Sequence, residues 1–139
     1  MLTWNNTKPF IVPLQGGQVI KVYDGDTITV ASSLPLIDCD EIFRFQVRLR
    51  GIDSPEIRSR IESEKRAAVT VKEKLTEKLL GKTVRVHNVS TEKYGRLLAD
   101  VYLGDLHIND WMVQNKYAVP YDGKARRTPD CWQSYLDSK

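Results

Sequence analysis

The chain has 139 residues, 41% of them hydrophobic and 28% charged, and 21 basic against 18 acidic side chains leave a net charge of +3. That is the length of one ordinary domain, with apolar material for one core and too little charge imbalance for wholesale disorder. Its two cysteines, Cys39 and Cys131, cannot form a disulfide framework and stand in no Cys/His metal spacing, so structural zinc is excluded.

Residues 1–16 contain two prolines and no clear period, and are expected to form an extended leader to a single domain over 17–139. Gln18 to Tyr23 and Thr27 to Ser32 are β-branched runs split by Asp24-Gly25-Asp26, a strong hairpin signal. Leu34 to Glu41, with Pro35 and several acids, reads as a loop. Phe43, Phe45, Val47 and Leu49 alternate with polar residues, which predicts a third strand with one apolar face, ended by Gly51 to Pro55. Ala67, Ala68, Val71, Leu75 and Leu79 make one helical stripe; Ser59-x-x-Glu62 has capping-box spacing, and Ser63 is an equal starting point. Gly81 suits the left-handed position after the last turn. Two more strands, Thr83 to Val89 and Leu97 to Leu103, precede a short helix that Asn109 can cap and that runs to Asn115. Trp132, Tyr135 and Leu136 stand at helical spacing in the tail. Five strands with a helix after the third is the layout of an OB-type Greek-key barrel, here an α+β, mainly β-barrel, fold with about three packed helices.

No apolar run approaches the ~18 residues of a membrane helix, and no signal-peptide pattern opens the chain. The expectation is therefore an intracellular protein with no membrane contact, and the mildly basic pI of about 8.9 permits a nucleic-acid partner.

Asp24-Gly25-Asp26-Thr27 alone is a hairpin turn in which aspartate supplies the geometry. An EF-hand is excluded, because Thr29 would fall where glycine is needed. Asp53-Ser54-Pro55-Glu56 puts two carboxylates at a strand end. They form either a solvated turn leading to a helix N-terminus, or a loop aiming Asp53 at Asp26, which would pair two hard oxygen ligands suited to Ca²⁺ or Mg²⁺. Arg48 and Arg50 share the face opposite Val47 and Leu49. On an ordinary strand both would be solvated; in a barrel that face lies beside the Asp53 turn. Lys93-Tyr94-Gly95-Arg96 is a basic hairpin from which Arg96 projects, and the Lys72 to Lys78 helix face reads as a solubility feature. His87 and His107 have no metal-pair spacing and receive no role.

Asp24-Gly25-Asp26-Thr27, then Val47-Arg48-Leu49-x-Gly51-Ile52-Asp53-Ser54-Pro55-Glu56, then Lys93-Tyr94-Gly95-Arg96 occur in this order within a barrel-like layout. In that combination the sequence resembles the staphylococcal nuclease family, from about Gln18 to Tyr121. The resemblance implies an OB barrel that binds one calcium ion and hydrolyses phosphodiester bonds in DNA and RNA, leaving 3′-phosphate ends. Through the motif match, Asp26 and Asp53 would ligate the metal by their carboxylates. Ser54, where the family often has threonine, would do so by its backbone carbonyl. Arg48 and Arg96 match the two catalytic arginines and Glu56 the catalytic glutamate. The family's arginine precedes its metal aspartate by five residues, which selects Arg48 over Arg50. Lys93, Tyr94 and Tyr121 would contact phosphate or bases, or serve only packing and solvation. Single-stranded nucleic acid is the expected partner of a monomer, because a flexible strand fits such a groove better than a stiff duplex.

The sequence departs from the family in three places. The 34–41 connection is longer, the C-terminal tail is short, and Lys116 stands near a usual helix-ending glycine, where Asn115 can take the left-handed conformation instead. A non-catalytic nucleic-acid or protein-binding barrel is the alternative from another class, and a purely structural barrel the third.

Overall fold

The computed structural model of the chain describes residues 1–35, 38–124 and 128–138. Strands β1 (Gly16–Val22), β2 (Thr27–Ser32), β3 (Phe43–Leu49) and the two-residue β4 (Ile52–Asp53) precede helix α1 (Glu62–Leu79). Then come β5 (Thr83–Thr91), β6 (Leu97–Leu103), β7 (Leu106–His107), α2 (Ile108–Gln114), β8 (Val119–Pro120) and α3 (Trp132–Asp137). The order β3-β2-β1-β5-β6 is antiparallel throughout, and a parallel pairing of β3 with β6 joins the two ends. The result is a closed five-stranded mixed barrel with three helices, the OB-fold that the strand order predicts.

Alternation fills the barrel. Val19, Ile28, Val30, Val47, Leu49, Ala99 and Val101 are fully buried, and α1 lays its stripe of Val71, Leu75 and Leu79 on the same core. Burying each of these larger aliphatic side chains is worth about 1.5–3 kcal/mol. The first strand begins at Gly16 rather than Gln18. A Cβ on Gly16 or Gly17 would stand 2.2 Å from the carbonyl oxygen of Val84 or Ala31, so glycines allow the two neighbouring strands to close in. Leu14 is buried and Val12 packs beside it, which joins the end of the leader to the core. Trp132 of α3 packs against Ala67 and Val119, so the short tail still covers one side of α1. Of the 34–41 connection, residues 36 and 37 lie outside the described residues, and the remainder forms neither helix nor strand.

Three local expectations are corrected. At the start of α1 neither serine acts as a cap: Ile61 occupies that position without a side-chain bond. Ser59 Oγ instead accepts the Ile61 N–H and donates to Glu64, whose other oxygen accepts the Glu56 N–H at 2.9 Å. Glu64 rather than Glu62 holds the preceding loop, and Ser59 spends its hydroxyl there instead of in a capping box with Glu62. Asn109 lies inside α2, not at its cap, and is buried. Its Oδ1 accepts the Val101 N–H, and its Nδ2 donates to the carbonyls of Arg50 and Ala99, so it fastens the helix to the barrel wall. Lys116 itself, not Asn115, is left-handed (φ 63°), because Asn115 turns its side chain back onto the Trp111 carbonyl.

His107 links α2 to β6. Its Nε2 is 3.2 Å from Asp100, its Nδ1 is 2.9 Å from Asp110, and Tyr102 stacks on the ring at 4.8 Å. Partial burial disfavours the charged ring, but hydrogen bonds and charge from Asp110 and Asp100 outweigh it and hold the pKa above 6.5. Only the doubly protonated imidazole can donate to both carboxylates. A folded pKa above the unfolded value gives stability that is complete below 6.5 and is lost as pH rises through the folded pKa. Urea unfolding between about pH 6 and 9 should therefore show the midpoint falling as pH rises beyond 6.5 in the wild type, with a flatter profile in His107→Gln. Identical profiles for the two proteins would show that the two contacts carry no linked stability.

Candidate active site

Register builds the site. Antiparallel pairing of β2 with β3 sets Thr27 opposite Arg48, and the parallel pairing sets Arg48 opposite Leu98, two residues after Arg96. The β1–β2 turn, the segment from β3 through β4 to Glu56, and the β5–β6 turn therefore converge. Gly25 makes the first approach possible: a Cβ there would lie 2.6 Å from Val71 and 2.8 Å from the Ser54 side chain. The Asp26 carbonyl accepts the Leu49 N–H at 2.8 Å, which locks the turn to the end of β3.

Asp26, Asp53 and Ser54 are all buried. Asp26 Oδ2 accepts the Ser54 hydroxyl at 3.0 Å and the Ser54 N–H at 3.3 Å, while its Oδ1 accepts the Thr27 hydroxyl at 3.2 Å. Arg48 Nη1 donates to the carbonyls of Leu49 and Ile52, both at 2.9 Å. Its Nη2 stands 3.5 Å from Asp26 and 3.6 Å from Asp53. These distances exceed the ~2.7–2.9 Å of a formed charge-assisted bond, so two carboxylates share one cation loosely and the outer donors can still take another anion. Tyr121 braces the guanidinium, with its ring centre 5.7 Å from Arg48 Cζ. Its N–H donates to Gly51, and the β4–β8 pairing brings it there.

Arg96 reaches the same place from the opposite turn. Its Nε is ion-paired with Glu92, and its Nη1 donates to Thr27 Oγ1 at 3.1 Å, so a chain of contacts runs from Arg96 through Thr27 to Asp26. The sequence reading missed Glu92 and Thr27. The four-residue separation of Glu92 from Arg96 across a tight turn was the available signal. Arg48, Asp53, Glu56 and Arg96 together line the open trough beside these groups, and Lys93, Tyr94 and Tyr121 line one of its arms. Tyr94 is exposed, with Lys93 Nζ 5.7 Å from its ring centre.

Arg50 does not share the contacts of Arg48. The strand ends at Leu49, Gly51 turns with φ +81°, and Arg50 Nη2 donates to the carbonyls of Asn88 and Leu98 and to Ser90 Oγ. Asn88 lies in the irregular stretch of β5 between His87 and Ser90. Arg50 is thus a tether for that bulge, not a solvated charge.

The donor set is that of a hard cation. Two carboxylates share Arg48, and Asp24, next to Asp26 in the turn, has its carboxyl pushed up to about 7 by burial and then by the charge of Asp26. Acidic groups therefore outnumber the cation that faces them, and all the donors are oxygen. Among the described residues no three Asp, Glu, His or Cys side chains stand together in a metal-holding cluster. An ion here would rest on Asp26, Asp53 and oxygens from backbone or water, which suits Ca²⁺ or Mg²⁺ and excludes zinc-like coordination.

An OB barrel that gathers two arginines and buried aspartates in an open trough defines a barrel suited to phosphate esters. Residues 46–136 match the family described as "Staphylococcal nuclease homologue", and the chain belongs to that family. A "probable staphylococcal-like nuclease" of Oryza sativa subsp. japonica is 31% identical over 87 residues, covering 60% of this chain and 22% of the rice protein. An "uncharacterized endonuclease" of Escherichia coli O157:H7 is 33% identical over 107 residues, covering 76% of this chain and 61% of that protein. An "uncharacterized 38.1 kDa protein" of Capnoides sempervirens is 34% identical over 84 residues, or 60% of this chain and 23% of its own length. The chain thus spans about a fifth of the plant relatives and less than two thirds of the bacterial one. Among the described residues no helix is long and apolar enough to cross a membrane.

Proposed function

We propose that the chain is a calcium-dependent nuclease, with residues 17–139 as the nuclease domain. It would hydrolyse phosphodiester bonds of single-stranded DNA and RNA to leave 3′-phosphate and 5′-hydroxyl ends. The observation that carries this reading is the loose sharing of Arg48 Nη2 between Asp26 and Asp53 at the floor of a trough that Arg96 and Glu56 also line. Asp26 and Asp53 would hold the ion by their carboxylates and Ser54 by its backbone carbonyl, with the Ser54 N–H and hydroxyl keeping Asp26 in orientation. When bound, the ion would neutralise a non-bridging phosphoryl oxygen.

The chain's own groups supply the rest. Arg48 and Arg96 are permanently charged planar forks, and both are anchored by protein acceptors before substrate arrives. They clamp the phosphoryl oxygens as negative charge builds on them. Glu56 takes a proton from the attacking water as the new P–O bond forms. The bond to the 5′ oxygen breaks, that oxygen takes a proton from solvent water in the open trough to leave as the hydroxyl, and Glu56 returns its proton to solvent. Lys93, Tyr94 and Tyr121 hold the neighbouring phosphate and base.

The test is release of acid-soluble nucleotides from heat-denatured DNA and from RNA, with Ca²⁺ and with chelator. Release should require Ca²⁺, run faster on denatured than on duplex DNA, and fall as salt rises. No release under any condition, with salt-dependent binding retained, would favour the non-catalytic binding barrel.

A further inference from the structure

Two cavities meet at the candidate centre: one holds the proposed substrate contacts Lys93, Tyr94 and Tyr121, and the other holds the proposed ion ligands with no substrate contact assigned beyond them. The arm with Lys93, Tyr94 and Tyr121 encloses about 540 Å³. The other encloses about 550 Å³ and is lined by Lys21, Tyr23, Arg58 and Lys72. Arg48, Asp53, Glu56 and Arg96 line both, so the reacting groups sit at the junction of a through-going trough.

The unassigned arm repeats the chemistry of the assigned one. Lys21 and Tyr23 are two residues apart at the end of β1, so they point the same way, and Lys21 Nζ lies 5.9 Å from the Tyr23 ring centre. On the other side Lys93 Nζ lies 5.7 Å from the Tyr94 ring centre. Tyr23 is 44% exposed, a large aromatic face left in solvent beside a cation. Lys72 comes from α1 and Arg58 from the loop after Glu56, so three different elements bring cations to one cavity. The acids that line this cavity, Asp24, Asp26, Asp53 and Glu56, belong to the metal end and the reacting centre. An exposed ring flanked by cations is what a base and its phosphate require.

We propose that this second cavity is a nucleotide subsite, in which Tyr23 stacks on a base while Lys21 and Lys72 hold the adjoining phosphate. The strand then crosses the centre with a nucleotide seated on each side, and cleavage falls inside the chain rather than at its end. This rests on the nuclease reading and deepens it.

Binding of a fluorescein-labelled single-stranded octanucleotide is measured by anisotropy in chelator, which reads the subsite without turnover. Tyr23→Ala should weaken binding about tenfold. Lys21→Ala combined with Lys72→Ala should weaken it by a similar factor and reduce the salt slope by about 0.7 for each phosphate no longer neutralised. Lys74→Ala, on an exposed part of α1 outside both cavities, should bind like the wild type. With Ca²⁺, kcat/KM of the variants is then compared on the octanucleotide and on the 5′- and 3′-(4-nitrophenyl phosphate) esters of one nucleoside. The loss on the octanucleotide should exceed the loss on one of the esters at least fivefold. Wild-type binding by both variants overturns the proposal, as does an equal loss on all three substrates. If the wild type cleaves nothing, the nuclease reading fails. The anisotropy then decides the subsite alone: weakened binding sustains it and unchanged binding overturns it.

Discussion

Arg48→Lys is expected to lower turnover on heat-denatured DNA by about 10²–10³, the usual cost of losing one preorganised donor to a developing oxyanion. The guanidinium is fixed before substrate arrives. Two donors are spent on the Leu49 and Ile52 carbonyls, Tyr121 covers one face, and Nη2 is left at 3.5 and 3.6 Å from two carboxylates. A lysine keeps the positive charge between Asp26 and Asp53 but gives up at least one of the two carbonyl bonds, so stability should fall by on the order of 1 kcal/mol, too little to account for the lost turnover. A single ammonium cannot both hold the two carbonyls and present a planar pair of N–H groups to phosphate. Arg50→Lys should keep its turnover. Its guanidinium serves Asn88, Ser90 and Leu98, so replacement should cost on the order of 1 kcal/mol of stability and leave turnover per folded molecule within a few-fold. Turnover and urea unfolding of both variants at saturating Ca²⁺ separate the two roles. An inactive Arg50→Lys beside an active Arg48→Lys would reverse the assignment.

That contrast also marks how far the sequence could be read. Inward alternation in Phe43 to Leu49 and the apolar stripe of α1 are local patterns, and both appear in the structure where the periods put them. Alternation alone gave Arg48 and Arg50 one face. They part because the strand stops at Leu49 and Gly51 turns the chain, while the acceptors for Arg50 come from a bulge some 40 residues away. The two-residue strands β4 and β8 carry no local period. They exist because Ile52 and Asp53 find Pro120 and Val119, and that pairing brings Tyr121 to Arg48. Glu64 and Glu92 were harder to read for a related reason, although the spacing of Glu92 from Arg96 was a signal. Each carboxylate is defined by what it reaches, a loop amide in one case and Arg96 in the other. Lys21, Tyr23 and Lys72 looked like a strand end and a solvated helix face, and only the closed barrel puts them on one wall.

Asp26→Asn and Asp53→Asn are each expected to abolish Ca²⁺-dependent cleavage and, separately, to remove the response of the folded protein to calcium. An ion that binds only the folded state raises stability by about 2.7 kcal/mol at one hundred times its Kd, so the melting temperature of the wild type should climb with added Ca²⁺. In the metal-free protein Asp26 and Asp53 are two like charges sharing one cation, Arg48, and the Asp24 carboxyl is raised by burial first and by repulsion from Asp26 second. Turning one aspartate into an amide relieves that repulsion while keeping the shape and an acceptor oxygen for Ser54. The variants should therefore melt at or near the wild-type temperature without calcium and fall behind only when calcium is added. Alanine is the poorer probe, because Asp26→Ala would strand the Ser54 and Thr27 donors in a buried site and confuse lost folding with lost binding. Calcium titrations followed by thermal unfolding, with calorimetry for the ion alone, keep binding apart from catalysis. A wild-type melting temperature indifferent to millimolar Ca²⁺, together with cleavage that survives chelator, would remove the ion and leave Arg48 and Arg96 to stabilise the phosphoryl group, with Glu56 activating the water.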